Sequence, residues 1–341
     1  MKVLIPLAGE GTRLRPLTLG RPKPLLHVAG KPVLHWIFDS VAPYRPEEVI
    51  LVVSPGKHGR SVVRWAEAYW TPRGSRVQAA VQEEALGLGH AVWTGLQSLD
   101  GDGPLVVVLG DTIVDMDLHQ VLQDTPDFIG VREVKDPRRF GIVWTDEQGI
   151  VQGMEEKPEQ PRSNLAIAGV YGVSRPGQLR EALHRLIQED RRTRGEYQLT
   201  DALQLMVEAG YRFRIYPIQG WHDCGIPETL LQTHRTFLER AGHIGRIEMR
   251  GNSTLHPPVY LPDGVVLENA RVGPFVSVGE GTVIRNSQVR HAILHEAVTL
   301  EDARVEYALV GGHVTLRGLR ITGRVGDYSV LEPARTEQEK I

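Results

Sequence analysis

Four short apolar runs alternate with stretches of helical spacing, and this alternation fixes most of what the first part of the chain can become. Residues 3–7, 49–53, 76–82 and 105–109 have the length and side-chain types of strands. Residues 32–41, 59–70 and 88–98 read as helices. Strands and helices alternating at this interval predict an α/β sheet with helices on both faces. Residues 105–109, LVVVL, are apolar throughout. Such a run predicts a strand buried on both sides, near the centre of a parallel sheet. Ligands of sheets in this class bind beyond the carboxyl ends of the strands. Three loops fall at such ends: the glycine turn after Leu7, the loop after Gln82, and Gly110-Asp111.

The first of these loops concentrates charge. Gly9-Glu10-Gly11 is followed by Arg13, Arg15, Arg21 and Lys23. Glycines let backbone N–H groups approach an anion. Arginine adds a permanently charged planar fork that matches phosphate oxygens. A strand end opening into both reads as a polyphosphate grip; a tight turn with solvated arginines is the plain structural alternative. Two nucleotide motifs are excluded. The phosphate loop needs Gly-Lys-Ser/Thr, and here Gly11 is followed by Thr12-Arg13. The dinucleotide fingerprint needs a third glycine where Leu14 stands, and an acidic residue after the second strand, where Ser54-Pro55 stands. The basic cluster is local. The 39 Lys and Arg against 42 Asp and Glu leave a net charge of −3, which argues against a general nucleic-acid binder.

From residue 128 the strands shorten, to 128–132, 141–144, 150–154, 166–173 and 212–217. Helices are expected over 177–190, 200–208 and 227–239, and Asp223 in a turn between Trp221 and Gly225. Composition changes near Gly242, and no helix is expected beyond it. Val272, Val278 and Ile284 lie six residues apart, with Val276, Thr282 and Gln288 four residues after each. An aliphatic residue at every sixth position, with a turn between, is a hexapeptide β-helix signature. The spacing is lost after Val289, though Val298, Leu300, Val305, Leu309 and Val314 keep a strand-like texture. An irregular β-sandwich is the alternative. The expected domains are residues 1–242 and 243–341. Solenoids of this kind expose flat side faces, so a homo-oligomer is expected. A single cysteine, Cys224, rules out an intramolecular disulfide and fits a reducing compartment. No run of about 18 apolar residues is present, and the N-terminus reads as a strand rather than a signal peptide. A cytoplasmic protein with no membrane partner is expected.

Several side chains in these loops can carry chemistry. Asp111 follows an apolar strand and a glycine, where a carboxylate is well placed to hold Mg²⁺ on bound phosphates; a turn or N-cap aspartate is the alternative. Asp223 is a second carboxylate for the same metal. Gln82 donates and accepts through one amide, which suits a pyrimidine edge, and Gly87 lets a base lie against backbone. Read without its surroundings, Gln82 is simply a surface residue before a helix. Glu156 suits sugar hydroxyls and Lys157 a phosphate; a solvated surface pair is the alternative. His90 and His222 show no metal-ligand spacing, and no nucleophilic arrangement can be argued for Cys224.

Taken together and in order, these motifs resemble the sugar-phosphate nucleotidylyltransferases over almost the whole chain. Leu7-Ala8-Gly9-Glu10-Gly11-Thr12-Arg13-Leu14 with Arg21-Pro22-Lys23-Pro24-Leu25 is similar to the family's nucleotide-binding signature. Gln82 with Leu86-Gly87-Leu88-Gly89-His90-Ala91 resembles its base-recognition loop, and Gly110-Asp111 its metal-binding motif. Glu155-Glu156-Lys157-Pro158, preceded by the strand at Gly141, resembles its sugar-binding motif. Arg194-Gly195-Glu196 and Trp221-His222-Asp223-Cys224-Gly225 fall where the second half of the site is placed.

The resemblance implies a Rossmann-like mixed sheet followed by a left-handed parallel β-helix, the latter structural or oligomerising. It also implies a reaction in which a sugar 1-phosphate oxygen attacks the α-phosphorus of a nucleoside triphosphate and pyrophosphate leaves. Arg13 is then expected on the β- and γ-phosphates, Lys23 on the α-phosphate and the sugar phosphate, and Mg²⁺ on Asp111 and Asp223. Leu7, Ala8, Gly9, Gly11, Thr12, Gln82 and Gly87 would line the nucleotide. Gly141, Glu156, Lys157, Val170 and Trp221 would line the sugar. Long-form glucose-1-phosphate thymidylyltransferases are the nearest resemblance, then uridylyltransferases. Gly9-Glu10-Gly11 is shorter than the Gly-Gly-x-Gly loop of most thymidylyltransferases, Ile5-Pro6-Leu7-Ala8-Gly9 looks more like uridylyltransferases, and Arg21-Pro22-Lys23-Pro24 is similar to mannose-1-phosphate guanylyltransferases. A non-catalytic sugar-nucleotide sensor is the alternative from another class; it would need a phosphate or metal residue to be missing, and all are present.

Overall fold

The computed structural model describes residues 1–99, 101, 103–117, 121–122 and 124–333. They form two compact units, and the division differs from the boundary expected at residue 242. One unit is Met1–Glu10 with Leu34–His222; the other joins Gly11–Val33 to the chain from Asp223 onward.

The first unit is built on a nine-stranded sheet. Its main path runs Val151–Glu156, Gly141–Thr145, Leu165–Val173, Leu105–Val108, Lys2–Pro6, Glu48–Val53 and Arg76–Val81. Phe128–Glu133 pairs with Leu165–Val173 and with Arg214–Pro217. The apolar run at 105–109 forms the central strand Leu105–Val108, buried throughout. It lies parallel to Lys2–Pro6 on one side and antiparallel to Leu165–Val173 on the other. The sheet is therefore mixed. The strands that alternate with helices make its parallel half, and because they run the same way, Leu7, Gln82 and Gly110 all leave it at one edge. Gly220–Asp223 is a strand rather than the turn expected around Asp223; it pairs with Thr112–Asp115 in a two-stranded ribbon. Both pieces are four residues long, too short to display a period of two.

In the second unit, Gly11–Val33 is a string of short pieces. They are single turns at Thr12–Leu14, Leu17–Gly20 and Lys23–Leu25, then a hairpin of His27–Val28 with Lys31–Pro32. None is long enough to be stable by itself. The helix Pro227–Ala241 follows Asp223, and a parallel β-helix follows that helix.

The β-helix coils have three faces. On one, Leu267 stacks beneath Ile284, Leu300, Leu316 and Leu331, at intervals of 17, 16, 16 and 15 residues. On the second, Val272 stacks beneath Val289, Val305 and Ile321. On the third, Val259 stacks beneath Val276, Ala292 and Ala308. Three six-residue steps would need about 18 residues per coil. The coils are shorter than that, so the six-residue spacing drifts out of phase after Val289 while the stacking itself continues to Leu331. His291, which the sequence places where the repeat fades, is a corner residue with a left-handed backbone, φ +50°. Its ring stacks between Phe275 and Tyr307, with centroids 5.3 and 4.8 Å away. Asn269, Asn286 and Asp302 turn another corner at φ near +50° (48°, 46° and 51°), a conformation that short polar side chains tolerate.

Two histidines are enclosed in this unit. His234 is 1 % exposed and its Nδ1 accepts the Ala29 amide at 3.0 Å. Burial pulls its pKa from 6.5 down to about 3. His295 is 2 % exposed and is held well below its ordinary value by burial, then by His27 and Arg21. Above pH 6.5 both are neutral whether the chain is folded or not. As pH falls below that, the unfolded chain takes up protons that the folded chain refuses. His234 should then remove on the order of a few kcal/mol of stability between about pH 6.5 and pH 4, and His295 acts in the same direction. Urea midpoints taken across that range check this. Substitution of His234 by Gln should flatten the slope, and an unchanged slope would reject the assignment.

Candidate nucleotide and sugar-phosphate site

The parallel strand ends bring Leu7, Asp111 and the backbone at Val170 together. Leu7 donates its amide to the Val52 carbonyl at 2.7 Å, one residue past the first strand. Gly110 lets the neighbouring strand end come alongside: a Cβ there would overlap the Leu7 side chain and approach the Pro6 carbonyl to 2.6 Å. Asp111 follows at once, half-buried, with its Oδ1 3.3 Å from the Thr112 hydroxyl. The Leu109 amide bonds the Gly169 carbonyl at 2.9 Å, and Val170 pairs with Val108. The Val170 side chain is buried, so its backbone is what it offers a ligand. Gly9 is exposed, and a Cβ added there would meet nothing within 4 Å.

The loop after the strand Arg76–Val81 is organised by Gln82, Gly87 and His90. The Gln82 amide nitrogen donates to the Gly87 carbonyl at 3.2 Å and lies 2.9 Å from His90 Nδ1. A carbonyl only accepts, so Nε2 must be the atom facing Gly87, and His90 Nδ1 must accept the second proton. Burial pushes the His90 pKa below its ordinary value. Gln82 Oε1 is left pointing elsewhere as an acceptor. Gly87 has φ +110° and ψ 175°, a region almost reserved for glycine. The loop is pinned by two backbone bonds, Tyr197 N to the Leu86 carbonyl (2.9 Å) and Gly89 N to the Tyr197 carbonyl (2.7 Å).

A third group surrounds Glu156. Its side chain is 9 % exposed, with Oε1 2.9 Å from Lys157 Nζ and Oε2 accepting from the Thr200 hydroxyl at 2.7 Å. Gly141 makes room for it: a Cβ there would lie 2.8 Å from both Glu156 Oε2 and Thr200 Oγ1. Lys157 sits at φ +46°, its amide bonded to the Phe140 carbonyl at 3.0 Å and its carbonyl to Arg194 Nη2 at 2.9 Å. The Phe140 ring packs on Trp221 with centroids 4.9 Å apart. Buried Tyr171 lies in the fields of both Glu156 and Asp111, which raise its pKa after burial has done most of that work. The Glu156 and Asp111 carboxylates thus both act on one enclosed phenol.

Leu7, Ala8, Gly9, Gln82, Gly87, Asp111, Gly141, Glu156, Lys157, Val170 and Trp221 belong to the first unit. Gly11, Thr12, Arg13, Lys23 and Asp223 belong to the second. There, Gly11 has φ +64° and its carbonyl accepts the Thr18 hydroxyl at 2.9 Å. Arg13 is exposed and Lys23 half-buried. Asp223 Oδ1 accepts the Gly225 amide at 2.7 Å. Tyr171, Thr200 and Phe140 escaped selection from sequence: Tyr171 and Thr200 carry no motif, and Phe140 only adjoins Gly141; His90 lay inside the quoted Leu86–Ala91 motif but was given no role of its own.

Among the described residues, no group of three or more His, Cys, Asp or Glu is gathered to hold a metal by protein alone. A divalent cation carried mainly by phosphate oxygens and bound water needs only one or two carboxylates, and Asp111 offers such a carboxylate in the first unit.

The nucleotidyl transferase family profile matches residues 2–240. The chain belongs to that family, and it is an enzyme of the nucleotidyltransferase class. Similar proteins include a glucose-1-phosphate thymidylyltransferase of Streptomyces griseus, 32 % identical, covering 92 % of this chain and 93 % of the relative. A UTP–glucose-1-phosphate uridylyltransferase of Haloferax volcanii is 34 % identical over 67 % of this chain and 93 % of its own length. The crystal structure of a UDP-glucose pyrophosphorylase complexed with UDP-glucose shares the fold, with TM-score 0.60 and 24 % identity over 70 % of this chain and 98 % of that one. Family members use a divalent metal and take a nucleoside triphosphate and a sugar 1-phosphate. Among the described residues, no helix is long and apolar enough to cross a membrane.

Proposed function

We propose that this enzyme transfers a nucleotidyl group from dTTP or UTP to glucose 1-phosphate, forming dTDP-glucose or UDP-glucose and releasing pyrophosphate. The orientation of Gln82 carries the choice of base. Both of its amide protons are engaged by Gly87 and His90, so Oε1 is the acceptor left for the N3–H of a pyrimidine dione. The relatives named for glucose 1-phosphate support the sugar.

In this reading Arg13 binds the β- and γ-phosphates, and Lys23 the α-phosphate and the incoming sugar phosphate. Glu156 takes sugar hydroxyls, oriented by Thr200, and Lys157 a phosphate. Trp221 and Gly141 shape the wall. Asp111 and Asp223 would hold Mg²⁺, which supplies charge neutralisation at the phosphates when bound. The sugar-phosphate oxygen displaces pyrophosphate from the α-phosphorus directly. Such chemistry depends on positioning and electrostatics more than on a protein nucleophile. Residues 1–242 supply the catalytic residues in this reading, and the β-helix is structural and supports a homo-oligomer in the cytoplasm.

An activity matrix of four nucleoside triphosphates against glucose, mannose and other sugar 1-phosphates, read by pyrophosphate release, tests the proposal. Release with pyrimidine triphosphates and glucose 1-phosphate is expected. Release confined to GTP with mannose 1-phosphate, or binding without release, would reject it. Gln82→Glu sharpens the base assignment, because a carboxylate oxygen would then face the Gly87 carbonyl at the 3.2 Å now spanned by a hydrogen bond. The KM for the preferred triphosphate should rise about tenfold or more. An unchanged preference would remove Gln82 from the base site.

A further inference from the structure

The loop that carries Arg13 and Lys23 folds with the C-terminal unit, although it follows directly on the first strand of the other one. Its single turns have no core of their own, so its shape must be imposed. Several of its supports come from the last two β-helix coils and from the helix that precedes the β-helix. Arg324 Nη1 donates to the Arg13 carbonyl at 2.6 Å. Arg21 forms a part-buried ion pair with Glu296. The His27 ring packs on buried His295, centroids 5.0 Å apart. The Gly312 amide holds Asp327 Oδ1 at 2.7 Å, and a Cβ on Gly20 would collide with that carboxylate. The Ala29 amide is held by His234, as described above. Contacts at residues 13, 20, 21, 27 and 29 brace the loop along most of its length, and one of them lies on the backbone of a proposed phosphate ligand itself.

We propose that Arg324 and Glu296 are positioning residues for triphosphate binding. The final coils of the β-helix pre-shape the Gly11–Val33 loop so that Arg13 and Lys23 meet the phosphates without first having to be ordered. This rests on the reading that Arg13 and Lys23 grip the triphosphate. A loop ordered only on binding spends part of its interaction free energy on that ordering. Loosening the brace should therefore weaken apparent triphosphate affinity, while the chemistry of the bound complex and the sugar-phosphate site stay much as they were.

The test uses the full-length enzyme and four variants: Arg324→Ala, Arg324→Lys, Glu296→Gln and Arg13→Ala. Each is characterised by kcat, by KM for each substrate and by thermal midpoint. Arg324 is exposed, so its truncation should not disturb packing. The expected result for Arg324→Ala and Glu296→Gln is a triphosphate KM raised about five- to tenfold, with kcat and the KM for sugar phosphate within about twofold of the parent. Lysine at 324 keeps a donor and should restore most of the loss. If Arg13→Ala raises the triphosphate KM while Arg324→Ala and Glu296→Gln leave it unchanged, the brace is overturned and the phosphate grip stands. If Arg13→Ala has no effect, the grip falls and the brace with it. A lowered thermal midpoint with kcat and both KM values worsening together would mean a merely structural role, and would also overturn the proposal.

Discussion

Asp111→Asn is expected to lower kcat/KM by about 100-fold or more while moving the melting midpoint by no more than about a degree. Asparagine has nearly the shape of aspartate and keeps an oxygen 3.3 Å from the Thr112 hydroxyl, so the strand end it follows has no reason to move. What disappears is a full negative charge at the mouth of the parallel strands. A divalent cation that Asp111 would help hold on the phosphates would lose an anchor, so apparent metal affinity should fall with activity. Titrating Mg²⁺ against the parent and the variant separates the two effects. A requirement shifted to much higher metal concentration supports the metal role. More than half of parental activity at the parental metal concentration would show that Asp111 has none.

Gly87→Ala should damage triphosphate use almost as severely, for a different reason. At φ +110° and ψ 175° an alanine is strained by roughly 1–3 kcal/mol before any neighbour is considered. Its Cβ would lie 2.6 Å from the Tyr197 carbonyl and 2.9 Å from the Tyr197 amide, both backbone atoms that cannot swing aside. The loop must shift, and the Gly87 carbonyl that orients Gln82 shifts with it. Triphosphate KM should rise more than tenfold while sugar-phosphate KM, set around Glu156, changes little. Pre-steady-state binding of each substrate separately would check this split. Equal losses for both substrates would mean that the loop shapes the whole cleft rather than the base pocket.

These residues differ in how openly the sequence announces them. The parallel half of the sheet was legible because its strands are continuous apolar runs separated by helical spacing, and three glycine- or polar-rich loops fell at their ends. The Glu156-Lys157 pair was legible as a motif, but its environment was not. Nothing in the sequence near Thr200 or Tyr171 says that one bonds Glu156 or that the other lies close to Asp111. Those relations come from the pairing of Leu165–Val173 with Leu105–Val108 and from where the helix Leu199–Glu208 docks. In the β-helix, three six-residue steps gave the architecture away. A coil that then runs 16 residues in place of a multiple of six hides its own continuation, because corners can shed a residue without disturbing the inward-facing rows. The boundary at residue 242 followed a real change in composition. Composition carries no trace of a loop whose partners lie some three hundred positions later.

That distance has a consequence for the order in which a newly made molecule becomes active. The bond from Arg324 to Arg13 spans 311 positions, and the Arg21–Glu296 pair spans 275. Contacts so remote close late, after local pairings are in place. While the chain is being synthesised, the strands and helices up to His222 can assemble, yet the arginine-bearing segment waits without its buttress until almost the last coil has emerged. A nascent or prematurely terminated chain would therefore own a folded sheet and an unready hold on its nucleotide.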